Sequence, residues 1–136
     1  MIKELRAGIY SLLTSAGAFH TSQPNVYWKA APQGASLPYC VFDRVTQSVT
    51  RDSASKFEDV WMQFNLYRDT KEANYSVKLN DDEDNLINLF DDADISKTLN
   101  ISGYKLTNIK RQPTKELGVT DGVIGVSVQF IIQIQR

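Results

Sequence analysis

Cysteine and histidine each occur once in these 136 residues, as Cys40 and His20. A single cysteine cannot form an internal disulfide. An excess of either charge is also missing, since 15 Lys+Arg stand against 16 Asp+Glu for a net charge of −1. The chain therefore has no overall basic field of the kind that drives non-specific nucleic-acid binding. No stretch approaches the roughly 20 apolar residues of a membrane-spanning helix. The segment Met1-Ile2-Lys3-Glu4 lacks the apolar run of a signal peptide. These absences predict a protein of the reducing cytoplasm with no membrane partner. The length fits one domain, 1–136, able to bury a core without metal or disulfide and leaving no room for a second domain.

What is present is periodic. Ile2, Leu5, Ile9, Leu12 and Leu13 recur at helical spacing, which predicts an amphipathic helix over 2–16 with Gly17 as its stop. A polar loop with His20 and Pro24 leads to a short strand at Val26-Tyr27-Trp28, and a Pro- and Gly-rich segment, Pro32 to Pro38, precedes a longer strand from Tyr39 to about Val49. The polar run Thr46 to Lys56 reads as a long, mobile loop before Val60 to Leu66 resumes strict alternation. Asp69 or Thr70 can cap a second helix carrying Ala73, Val77, Leu79, Leu86, Ile87, Leu89 and Phe90. Its middle, Asn80-Asp81-Asp82-Glu83-Asp84, reads as a wet face on one long helix, with a joint between two helices at Asn80 as the alternative. Asp91 to Ser102 reads as a loop anchored by Ile95 and Leu99, Tyr104 to Gln112 as a strand, and Pro113 to Gly122 as turn material. In the last strand Ile124, Val126, Val128, Phe130, Ile132 and Ile134 share one face. The expected fold is α+β: about five strands in a mostly antiparallel sheet, order α-β-β-β-α-β-β, with two helices on one face.

The residues offer little for catalysis. A nucleophile needs a base and a group to orient it, and neither His20 nor Cys40 has a motif around it. His20 reads as a surface histidine, and Cys40, between Tyr39 and Val41, as a small buried hydrophobe. Neither Asp81-Asp82-Glu83-Asp84 nor Asp91-Asp92-Ala93-Asp94 matches a calcium loop, so both read as solvated charge. Gly118, Gly122 and Gly125 precede no helix with the lysine of a phosphate loop. No catalytic, metal or cofactor residue is assigned, and an enzyme is not expected. Arg51 with Lys56, and Lys110-Arg111 with Lys115, are small basic patches in exposed turns where subunit or partner contacts would fall. Trp28 and Trp61 read as core or sheet-edge aromatics.

Three segments in order carry a resemblance: Leu5-Arg6-Ala7-Gly8-Ile9-Tyr10-Ser11-Leu12-Leu13, then Val26-Tyr27, then Ala31-Pro32-Gln33-Gly34-Ala35-Ser36-Leu37-Pro38-Tyr39-Cys40-Val41-Phe42. Together they resemble the tail terminator, or tail completion, family of long-tailed bacteriophages, prophages and gene transfer agents. The chain departs from the family at Cys40, where an aliphatic residue is commoner, and in the acidity of Asn80 to Asp84. The resemblance implies a structural subunit that assembles as a hexameric ring on the last ring of the tail tube. That ring ends tube growth and presents a surface to the head connector. Its partners would be copies of itself, the tail tube protein and the connector protein, with DNA only as passing cargo, and its place the virion tail, assembled in host cytoplasm. On this reading Arg51, Lys56, Arg111 and Lys115 lie at subunit or tube contacts. Asp81, Asp82, Glu83 and Asp84 are candidates for an acidic bore that repels phosphate. A neck protein of the head-tail connector is the neighbouring reading, and a small ligand-binding domain or enzyme the reading from another class.

Overall fold

The computed structural model describes residues 2–15, 18–51, 56–91 and 99–135, with the side chains of residues 50 and 51 outside that description. Its elements are α1 (Ile2–Thr14), α2 (Ala18–Ser22), β1 (Asn25–Trp28), β2 (Tyr39–Arg51), β3 (Lys56–Asp69), α3 (Tyr75–Asp91), β4 (Lys105–Arg111), β5 (Lys115–Thr120) and β6 (Val123–Gln135). The strands form one sheet in the order β1-β2-β3-β6-β4, and β5 joins the same flank of β6 as β4. Every pairing is antiparallel except β1 with β2. This is the expected α+β architecture, with a sixth strand and a third, short helix.

Alternation sets the two faces of the sheet. Cys40 and Phe42 of β2, Val60 to Leu66 of β3 in steps of two, and Val126 to Ile134 of β6 in steps of two are buried beneath the helices. The apolar stripe of α1, Leu5, Ile9, Leu12 and Leu13, closes over them, joined by Leu79, Leu86 and Phe90 of α3. At the centre Phe90 lies 5.2 Å from Phe64 and 4.8 Å from Phe130, ring centre to ring centre. Both long helices thus cover one face, and the other carries no covering layer among the described residues.

Four local expectations change. The run Thr46 to Lys56 is mostly strand: β2 continues past a bulge between Arg44 and Thr46 to Arg51, and β3 begins at Lys56. That extension leaves Val45, Ser48 and Val49 exposed, so no alternation of polarity marks it. Residues 52–55 fall outside the description. Lys115–Thr120, expected as turn, is a strand whose six residues are all exposed. Its link to β6 is the two-residue turn Asp121-Gly122, at φ 51° and 75°. Positive φ at both positions suits a tight hairpin and the Asp-Gly pair that fills it. The loop around His20 contains α2, pinned by buried Phe19. Finally, Asp69 caps a turn rather than a helix: its Oδ1 accepts from Lys71 N at 2.9 Å, and α3 begins at Tyr75.

The Pro- and Gly-rich connector behaves as a stiff link. Pro32 O accepts from Ala35 N at 3.0 Å, and Gly34 takes φ 82°. A type II turn requires positive φ at that position. The Leu37–Pro38 peptide is cis. Tyr39 to Phe42 then pair with Asn25 to Trp28 on one side and with Tyr67 to Phe64 on the other.

Candidate assembly surface

The single cysteine lies at the centre of the sheet with no exposure, and burial pushes its thiol well above the ordinary value of 9.0. That makes it a packed hydrophobe and a poor nucleophile. His20 sits half-buried in α2, not on an open loop, with Nδ1 buried and no hydrogen-bond partner among the described residues. No group of three or more histidine, cysteine, aspartate or glutamate residues among the described residues is placed to hold a metal ion.

The acidic run on α3 divides. Asp81 and Asp84 are exposed and Glu83 is half-buried, but Asp82 has no exposure and occupies the same stripe as Leu79, Leu86 and Phe90. The expectation of a bore-facing Asp82 is therefore corrected: it faces inward. Arg68 of β3 donates from Nε to Asp82 Oδ2 at 2.6 Å and from Nη2 to Oδ1 at 3.0 Å, and Gln23 Nε2 donates to Oδ2 at 2.6 Å. Arg68 also reaches Ser22 O at 3.2 Å and Glu72 Oε2 at 3.2 Å, and Lys78 Nζ lies 3.2 Å from the same Glu72 oxygen. The carboxylate hydrogen bonds of Asp82 raise the Arg68 pKa, against the desolvation that would lower it. The network ties α2, β3 and α3 together. Sequence reasoning missed Arg68, although a signal existed: it is in phase with Val60, Met62, Phe64 and Leu66 on the buried face of β3. An arginine in that phase requires a buried carboxylate.

The uncovered face is unusual for solvent. Trp61 Nε1 donates to Gln129 Oε1 at 2.8 Å, Gln129 Nε2 to Gln63 Oε1 at 3.2 Å, and Gln63 Nε2 to Asn65 Oδ1 at 3.1 Å. Burial raises the phenol pKa of Tyr67, while a hydrogen bond with Asn65 lowers it. Tyr67 packs 5.3 Å from Tyr39, which in turn meets Tyr27 at 5.9 Å. Amides linked across β3 and β6 and flanked by tyrosines make a surface whose side chains hold one another in place.

The basic candidates are spread along the sheet. Lys56 starts β3, 3.9 Å from Glu58; Arg111 ends β4 with Nη1 3.6 Å from Asp91 Oδ2; Lys115 opens β5. Arg51 ends β2, and its side chain lies outside the described residues. The structure does not gather them into one patch. Asp92 and Asp94 lie outside the description too, as does Ile95, whereas the other expected anchor, Leu99, is buried. Trp28 packs against Phe42 at 5.2 Å and lies under the Arg6 guanidinium at 5.0 Å. No helix among the described residues is long and apolar enough to cross a membrane.

No protein-family model matches the sequence. No curated protein matches it either. Among solved structures, the chain is similar to a chain of the "Virion of native gene transfer agent (GTA) particle", with a TM-score of 0.73 over 97% of this chain and 95% of that one, at 14% identity. At that identity the likeness is one of fold.

Proposed function

We propose that this chain is a virion assembly protein that caps the tail tube of a long-tailed phage or phage-like particle as a ring, ending tube growth and forming the surface that joins the head. One observation carries the reading: the fold matches, end to end on both chains, a component of a gene transfer agent particle. Supporting it, the sequence order of helix, Val26-Tyr27 strand and Leu37-Pro38-Tyr39 turn resembles the tail terminator family, and one broad face of the sheet has no covering layer among the described residues. Lys56, Arg111 and Lys115, with Arg51, are the proposed subunit or tube contacts. Asp81 and Asp84, the carboxylates of the acidic run that α3 leaves exposed, are the residues proposed to repel passing DNA.

Incubating the purified protein with tail tubes tests the reading, with growth and tube ends followed by negative-stain microscopy. A cap at one end and arrested elongation support it. Binding to portal-side proteins without binding to tubes would favour a neck protein instead.

A further inference from the structure

The cleft beside β5 and the clefts beside β1, at opposite ends of the sheet, differ in charge. At one end, α3 and the β5–β6 hairpin enclose a groove of about 420 Å³ with Leu79, Ile124 and Val126 among its lining and Glu83 and Glu116 as its charged groups. Beside it, β5 pairs with β6 alone among the described residues, so its outer edge is open. At the other end, α1 and β1 enclose two adjoining clefts of about 460 and 340 Å³ that share Lys3, Arg6 and Trp28, and the second adds Lys29 and Arg44 against one carboxylate, Asp43.

The two surfaces overlap only in part along the strands: the Arg44 end of the basic flank is level with Arg111 of β4, through Met62 and Phe130, and its Val26 end is level with β5. Lys115–Thr120 of β5 lie opposite Ser127–Val123 of β6, those residues oppose Asn65–Asp69 of β3, Leu66 and Tyr67 oppose Cys40 and Tyr39, and these oppose Val26 and Asn25 of β1. We infer that the acidic groove of one copy receives the basic α1–β1 flank of the next, an inference that rests on the ring proposed above. Unlike patches at opposite ends of one sheet make a heterologous contact, the kind that closes into a ring when the rotation fits. Opposite charge also selects this edge over its neighbour. The β4 edge carries Lys105, Lys110 and Arg111 against the one carboxylate of Asp91, and would oppose Lys3, Arg6, Lys29 and Arg44 with net like charge, whereas beside β5 Glu83 and Glu116 outnumber Lys115. Glu83 thereby belongs to the subunit contact rather than to the bore.

Two double variants test this: Glu83→Lys with Glu116→Lys, reversing the groove, and Lys3→Glu with Arg44→Glu, reversing the flank. Assembly is read by sedimentation in solution and by microscopy on tail tubes, with circular dichroism confirming the fold. Each variant alone is expected to lose at least tenfold of the assembled fraction. An equimolar mixture is expected to regain it, because a reversed groove meets a reversed flank at every other contact. Assembly of either variant at the wild-type level overturns the inference, as does a folded mixture that stays monomeric. Variants that still form rings but no longer bind tubes also overturn it, since the groove would then be a tube contact. Wild-type protein that forms no ring in solution or on tubes overturns both the inference and the ring itself.

Discussion

Arg68 and Asp82 face each other across the β3–α3 boundary as a bidentate pair, at 2.6 and 3.0 Å, with Asp82 wholly shielded from water. Removing one partner strands the other charge in the interior, which costs about 3–5 kcal/mol. Asp82→Ala should therefore lose about that much in urea unfolding. The double change Arg68→Met, Asp82→Leu should lose less than Asp82→Ala alone, because no charge is left behind. Equal losses would show that the network matters as shape, not as a charge pair.

Gly8 lies where α1 meets the segment before β4. A Cβ there would come 2.5 Å from Asn100 O, a backbone atom that cannot swing away. Helix propensity alone would favour Gly8→Ala by about 1 kcal/mol. Overpacking of this kind costs about 1–3 kcal/mol, so the net effect should be a lower Tm. A higher Tm would show that the Asn100 segment yields freely.

Alkaline pH should destabilise the fold through Cys40. Its thiol is held far above the ordinary 9.0 by burial. Above pH 9 the unfolded chain loses that proton and the folded one keeps it, so the native state is disfavoured. The contribution is complete below pH 9 and falls by about 1.4 kcal/mol for each pH unit beyond. Tyr67, whose pKa is also raised by burial, acts in the same direction at higher pH. Chemical denaturation from pH 8 to 10 should show the slope, and Cys40→Ala should flatten it. An unchanged slope in the variant would assign the effect elsewhere.

Charge reversal at Lys56, Arg111 and Lys115, together with Arg51, should abolish ring formation or tube capping. Surface substitutions of this kind change stability by about 0.5 kcal/mol each, and the exposed Arg111–Asp91 pair adds about 0.2–1 kcal/mol. Thermal melts should thus stay close to wild type while capping is lost. Normal capping by the fourfold variant would remove these residues from the contact surface.

The sequence was legible where one face of an element is buried. Ile124 to Ile134 and Val60 to Leu66 announce their strands because every second residue enters the core, and Leu5, Ile9, Leu12 and Leu13 announce α1 in the same way. It was silent where both faces meet solvent: β5 and the β2 extension form through backbone pairing, which leaves no mark on side-chain polarity. The Asp121-Gly122 pair carries a hairpin signal, but with Pro113 and Gly118 nearby it reads as part of one run of turn material, which hides the strand before it. Asp82 was misread because a run of five polar residues looks wet, although only the helical period decides which of them turns inward. The grooves at the two ends of the sheet draw on α1, β1, α3 and β5 together, so no local pattern could show them.

Microscopy of purified tail tubes grown with and without this protein tests the central claim most directly. The account predicts a ring of closed symmetry at one tube end and tubes that stop lengthening once it is bound. Tubes that keep growing, with no added density at either end, would contradict it.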